Sequence, residues 1–141
     1  MNSIEITKIL KRIMGEKFIG VYPSDTAIPT LKNYPRGFVV NTDPIGQPGK
    51  HWQAVWVVNS ASAEFFDSFG DEPKENLKKY LKKYKNVLKN TKIQNDYGPF
   101  VIYFLINRFK NIHFKNIIKT HKKYKYSDSF VKLFVFNLLL K

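Results

Sequence analysis

The chain has 141 residues, enough for one domain with a hydrophobic core, and we expect residues 1–141 to form a single domain. Its 43% hydrophobic content excludes a disordered protein, and its lack of cysteine excludes disulfides, all-cysteine metal sites and a thiol nucleophile. The net charge of +13 lies in the second half, because residues 74–141 carry 17 Lys and Arg against 3 Asp and Glu. This asymmetry favours an anionic partner, with nucleic acid first.

The first half of the chain predicts one helix, then a loop and three strands. Apolar residues at helical spacing predict a helix over residues 4–14, with Asn2 or Ser3 as its N-cap and Gly15 as its end. Three prolines predict a loop over residues 18–35. Aromatic and β-branched runs predict strands at residues 37–41, 52–58 and 63–66, and the last two form a hairpin.

The second half is mainly helical in its patterns. Residues 74–89 have one apolar face and one lysine-rich face, which predicts an amphipathic helix. Residues 91–94 predict a short strand, and residues 99–109, apolar on all sides, predict a buried helix. Further helices are expected at residues 112–118 and 127–140. The fold class is therefore α+β, with helices packed on a small, mainly antiparallel sheet.

The most apolar stretch is residues 130–140, which is about half the length needed to span a bilayer. We therefore expect a docked C-terminal helix or strand and no membrane partner.

One His and one Asp occupy related places in the predicted hairpin. His51 opens one strand and Asp67 ends the next. Because the start of one antiparallel strand lies near the end of its neighbour, the two side chains should lie within hydrogen-bonding distance. A carboxylate that accepts from one imidazole nitrogen orients the ring as a general base. By itself, such a pair is more often a surface contact.

Three segments carry a family resemblance: GFVVNTDPIGQPGKHWQAVWV, EFFDSFG and IQNDYGPFVIYFL. Their order and spacing resemble the adenain family, the adenovirus-type cysteine endopeptidases of viruses and virus-like mobile elements, which share a clan with the SUMO-specific proteases. The resemblance implies a papain-like, adenain-like cysteine protease fold over nearly the whole chain. It also implies an intracellular setting, in the host nucleus or the virion, and viral or mobile-element structural proteins as partners.

The resemblance also assigns roles in the site. It makes His51 the general base, Asp67 the carboxylate that orients it, and Gln94 the oxyanion-hole donor. Tyr97 stands where the family has its nucleophilic cysteine, and only Asn95 and Asp96 separate it from Gln94. A phenol ionises near pH 10 and carries a bulky ring. These departures imply a catalytically inactive homologue, a pseudoprotease that binds protein or nucleic acid.

Two alternatives stay open. One is a residual peptidase in which Tyr97 or Ser68 is the nucleophile in place of a cysteine. The other is a purely structural or DNA-binding virion protein. No metal site is expected, because the three histidines lack a ligand spacing, and no cofactor is expected apart from DNA as a polyanionic partner.

Clustered lysines make non-specific nucleic-acid binding plausible, since Lys contacts phosphate as a point charge. DNA acts as a cofactor for the adenovirus member of the family, so the resemblance points the same way. The candidate residues are Lys78, Lys79, Lys82, Lys83, Lys119, Lys122 and Lys123.

Overall fold

The computed structural model describes residues 2–43, 51–92, 99–123 and 127–140. Within these residues the chain forms five α-helices and one sheet of five strands. In chain order they are α1 (Ser3–Met14), β1 (Phe18–Tyr22), β2 (Arg36–Asn41), β3 (Trp52–Val57), β4 (Ser62–Phe66), α2 (Glu75–Leu81), β5 (Asn86–Lys89), α3 (Pro99–Phe109), α4 (Phe114–Lys123) and α5 (Ser127–Leu139).

The sheet keeps the strands in sequence order, β1-β2-β3-β4-β5. The two central pairings, β2 with β3 and β3 with β4, are antiparallel, whereas β1 pairs with β2 and β5 with β4 in parallel. The predicted α+β class is confirmed. The pairing is more mixed than the mainly antiparallel sheet that we predicted, because each edge adds a parallel strand.

Successive side chains along each strand point to opposite faces of the sheet and pack into two hydrophobic cores, one on each face. On one face, Trp52, Ala54 and Trp56 of β3 pack with α1, α3, α4 and α5. On the other face, Val55 and Val57 pack with α2. The sheet is therefore covered on both sides, by four helices on the first face and by α2 on the second.

The predicted helix over residues 74–89 was wrong in its second half. Helix α2 ends at Leu81, and β5 follows and pairs with β4. The apolar spacing is helical throughout, but a helix there would leave β4 as an unpaired sheet edge. Pairing with β4 satisfies the backbone of β5, and Tyr84 in the connecting turn still contacts Tyr80, with 2.9 Å between their hydroxyl oxygens.

The loop predicted over residues 18–35 was also wrong at its start, because residues 18–22 form β1. The prolines that predicted the loop begin only at Pro23. Of the short strand predicted over residues 91–94, Thr91 and Lys92 are not in a strand, and residues 93 and 94 lie outside the described residues.

The other helix predictions hold. Asn2 caps α1, since its side chain accepts from the Glu5 amide at 2.9 Å and Glu5 accepts in return from the Asn2 amide at 3.2 Å. Gly15, with φ of 58°, ends the helix. Helix α3 matches the predicted bounds, and α4 begins two residues later than predicted and extends further. No described helix is both long and apolar enough to cross a bilayer.

Phe104 joins the helical layer to the sheet. Its ring stacks on Phe66 of β4 with centroids 4.8 Å apart, and it meets Phe114 of α4 edge-on at 5.7 Å. We expect Phe104→Ala to lower the free energy of unfolding by about 3–5 kcal/mol, because it leaves a cavity in the buried core.

The matched control is Phe136→Ala, since Phe136 is 56% exposed on α5. Urea unfolding of the three chains measures both changes. Equal losses in the two variants would contradict the packing described here.

Candidate active site

The register of β3 and β4 brings His51 and Asp67 to one end of the sheet. Ala54 lies opposite Phe66, so one step further along the ladder places Gln53 beside Asp67. His51 lies two residues before Gln53, and strand alternation directs both side chains to the same face. The predicted contact between His51 and Asp67 is confirmed: Nε2 of His51 lies 2.9 Å from Oδ1 of Asp67.

The Asp67 carboxylate is fully buried and accepts three hydrogen bonds. Besides the contact with His51, Gln53 Nε2 donates to Oδ2 at 2.6 Å and the Phe69 amide donates to Oδ1 at 2.7 Å. These donors offset the desolvation of the carboxylate. They also fix the plane of the carboxylate, which in turn fixes His51.

The imidazole of His51 is held on further sides. The ring of Phe69 stacks on it with centroids 4.3 Å apart and an interplanar angle of 5°. The backbone of His51 is also held, since its carbonyl oxygen accepts from the Thr42 amide at 3.0 Å and from the Thr42 hydroxyl at 3.2 Å. Because Nε2 contacts Asp67, Nδ1 is the ring nitrogen that would exchange a proton with a reacting group.

Asn90 fixes the backbone of Asp67 from the neighbouring strand. Its Oδ1 accepts from the Asp67 amide at 3.0 Å, and its Nδ2 donates to the Asp67 carbonyl at 2.6 Å. Asn90 directly follows β5 and Asp67 directly follows β4, so one side chain joins the C-terminal ends of these two parallel strands. Beside it, Lys89 donates to Glu72 at 2.8 Å, and this hydrogen bond and charge lower the pKa of the Glu72 carboxyl.

The turn after Asp67 packs closely against the chain that follows β5. Gly70 has φ of 70°, which favours glycine. A Cβ atom there would overlap the backbone nitrogen of Lys92 and lie 2.9 Å from the Thr91 carbonyl carbon. The turn and residues 91–92 therefore hold each other in place, directly before residues 93–98.

A cavity of about 290 Å³ opens beside His51, lined by Thr42, His51, Gln53, Phe69, Asp71, Glu72 and Lys74. Its lining supplies a base and acids for proton transfer but no thiol. The arrangement is therefore able to orient an imidazole, whereas the covalent step of a cysteine protease has no nucleophile among these residues.

Two of the four catalytic positions predicted from the sequence, Gln94 and Tyr97, lie outside the described residues, so their roles stay predictions. Ser68 is 2% exposed and follows Asp67 on the acid's own segment.

Gln53, Phe69 and Asn90 were not predicted. Gln53 had a signal, since it is a polar residue two positions after His51 in an otherwise apolar strand, whereas nothing in the sequence marked Asn90.

The candidate lysines do not share one surface. Lys78, Lys79, Lys82 and Lys83 are exposed on α2 and the turn after it, whereas Lys119 is exposed on α4, which packs on the opposite face of the sheet. The side chains of Lys122 and Lys123 lie outside the described part of the chain.

We expect Asn90→Ala to lower the free energy of unfolding by about 1–3 kcal/mol, because it removes both hydrogen bonds to the Asp67 backbone. Asn116→Ala is the control, since Asn116 is exposed on α4. Urea unfolding of the two variants measures the difference. An Asn90 variant as stable as the Asn116 variant would show that the pair of hydrogen bonds does not hold β4.

Comparison with known proteins identifies relatives of viral origin. The chain is 29% identical over 102 residues to a cysteine protease of African swine fever virus (a tick isolate from Malawi), covering 60% of this chain and 37% of the relative. It is 28% identical over 102 residues to a protein named SUMO-1 cysteine protease from a pig isolate of the same virus from Kenya, with the same coverage. The chain thus spans little more than a third of the length of these relatives.

The fold has a solved counterpart in the crystal structure of the African swine fever virus protease. The match has a TM-score of 0.54 at 20% identity and covers 89% of this chain and 64% of that one. The adenain-like fold predicted from the sequence is confirmed. The sequence model described as "Adenovirus endoprotease" matches residues 18–103, which include His51, Asp67 and the first half of α3. The chain therefore belongs to the adenovirus endoprotease family.

Proposed function

We propose that this chain is a pseudoprotease, which binds a target in the manner of its family without hydrolysing it. The observation that carries the proposal is an assembled His51–Asp67 pair in a chain without any cysteine. The predicted base and its orienting acid are in contact, so the departures from the family are the nucleophile position and the short interval from Gln94 to Tyr97. Tyr97, at the family's cysteine position, is the changed residue.

A replacement nucleophile is the weaker candidate. Ser68 is buried and belongs to the turn that holds Asp67, so a substrate carbonyl would have to enter the core to reach it. Tyr97 carries a phenol, which ionises near pH 10 and offers little anion at neutral pH. Ser68 therefore lacks the exposure, and Tyr97 the acidity, that an activated nucleophile requires.

We propose a protein segment as the target and a virus or virus-like element as the setting. The relatives are viral proteases, and one is named for SUMO-1. An extended segment of a viral structural protein, or of a protein that carries a SUMO-type modifier, would lie along the cavity beside His51. Binding without cleavage would then protect or tether that segment.

A peptidase assay tests this proposal. We expect the natural chain to cleave no member of a fluorogenic peptide library, and we expect Tyr97→Cys with a lengthened loop between residues 94 and 97 to gain activity. The gain follows because a thiolate beside the oriented imidazole is a far stronger nucleophile than a phenol.

The control is the same repaired chain with His51→Ala, in which the gained activity should disappear. Cleavage by the natural chain that depends on His51 would refute the pseudoprotease and support the residual peptidase.

Nucleic-acid binding is a second candidate function. It rests on the four exposed lysines of α2 and its following turn and on the net charge of +14 in residues 74–141. Such a surface contacts phosphates without reading bases, since the chain has little Arg to pair with guanine. DNA would then hold the protein near its target or serve as its only partner.

We expect the double variant Lys79→Gln/Lys82→Gln to weaken binding to duplex DNA of any sequence. The slope of log K against log salt concentration should become shallower by about 2, because each lost phosphate contact removes about one unit. Fluorescence anisotropy over a salt series measures both quantities.

The matched control is Lys8→Gln/Lys110→Gln, which removes the same charge from exposed positions on α1 and at the end of α3. Equal slopes in the two double variants would place DNA binding elsewhere and contradict a specific role for α2.

A further inference from the structure

His51 and Asp67 have a third potential metal ligand beside them. Asp71 follows in the turn after β4, and one ligand atom from each of the three residues lies within 4.8 Å of the others. His51 and Asp67 are buried and Asp71 is exposed. Histidine spacing does not mark this group, because two of its three ligands are carboxylates.

The spacing of these atoms fits a six-coordinate ion. The 2.9 Å between His51 Nε2 and Asp67 Oδ1 subtends an angle of about 90° at an ion about 2.1 Å from each, which is the angle between neighbouring ligands of an octahedron. A tetrahedral ion would need the two atoms further apart. Asp71, being exposed, is able to rotate towards the ion without disturbing the core.

The surroundings already hold the ligands as a metal site requires. Gln53 and the Phe69 amide donate to the Asp67 carboxylate and keep it in place. Such hydrogen bonds to ligating carboxylates are the usual support of a metal site. The cavity of about 290 Å³ beside His51 leaves room for the several water molecules that complete a six-coordinate shell.

The local charge is favourable although the whole chain is basic. The carboxylates of Asp71 and Glu72 line the cavity. The carboxylate of Asp67 lies just behind it, hydrogen-bonded to the lining residues His51 and Gln53. Lys74 is the one cationic side chain among the lining residues, and Lys89 is paired with Glu72. Three carboxyl groups therefore outnumber the nearby cations.

We propose that His51, Asp67 and Asp71 bind one divalent transition-metal ion of the octahedral, oxygen-preferring class represented by Mn²⁺. The ion replaces the proton between Nε2 and Oδ1 and lies to one side of the line that joins these atoms, and the imidazole then carries its proton on Nδ1. This site occupies the family's acid–base pair and would block its use in proton transfer. The proposal needs only the geometry of the three ligands and does not depend on whether the chain retains peptidase activity.

Titration of the full chain with Mn²⁺ tests the proposal. Mn²⁺ is paramagnetic and broadens NMR signals of nearby nuclei. At substoichiometric Mn²⁺ we expect the backbone amide signals of Phe69 and Gly70 and the side-chain amide signals of Gln53 to disappear first. Electron paramagnetic resonance of free Mn²⁺ should give one ion per chain.

Asp71→Asn should weaken binding at least about tenfold, because the loss of even a residue that supports a ligand costs about 10–100-fold in metal affinity. Because Asp71 is exposed, this variant should keep its fold. The matched control, Glu16→Gln, removes an exposed carboxylate away from the cavity and should change the affinity less than twofold. Broadening centred on other residues, or unchanged affinity in the Asp71 variant, would overturn the site whatever the peptidase assay shows.

Discussion

The buried carboxylate of Asp67 is the constraint on which the site depends. A carboxylate without exposed surface must have its oxygens hydrogen-bonded, because an unsatisfied buried charge costs several kcal/mol or more (about 3–5 where one partner is removed). Its three donors come from His51, Gln53 and the Phe69 amide. The requirement to satisfy one side chain thus fixes the beginning of β3, the end of β4 and the turn that follows.

Strand β4, which Asp67 directly follows, is also anchored on its opposite face. Glu64 of β4 accepts two hydrogen bonds from Arg108 of α3, at 2.7 and 3.1 Å. Burial raises the pKa of the Glu64 carboxyl, and the hydrogen bonds and charge of Arg108 oppose this rise. Strand β4 is therefore tied to α3 through Glu64 and to β5 through Asn90. The family resemblance predicts that α3 follows the nucleophile position, and Glu64 links this helix to β4, the strand that directly precedes Asp67.

Local patterns in the sequence predicted the parts of the fold that depend on local chemistry. The capped helix α1, the β3–β4 hairpin and the contact between His51 and Asp67 follow from helical spacing, β-branched runs and antiparallel geometry. The β5 strand could not be predicted, because its apolar spacing is helical and only pairing with β4 makes it a strand. Asn90 was missed for the same reason: its importance depends on a strand pairing that the sequence does not display. The lysines of α2 and of α4 lie on opposite faces of the sheet, which could not be predicted because sequence order does not say which face a helix covers.

Membership of the adenovirus endoprotease family and the geometry of the site lead to one central claim. We propose that His51 and Asp67 form the acid–base half of a cysteine protease site, kept as a buried, hydrogen-bonded pair in a chain without a thiol. The most direct measurement is the imidazole proton of His51 on Nε2, observed by NMR. A proton shared with a buried carboxylate should resonate at low field and exchange slowly with water, and Asp67→Asn should abolish that signal. A folded chain in which no such signal appears, or in which it survives Asp67→Asn, would contradict the claim.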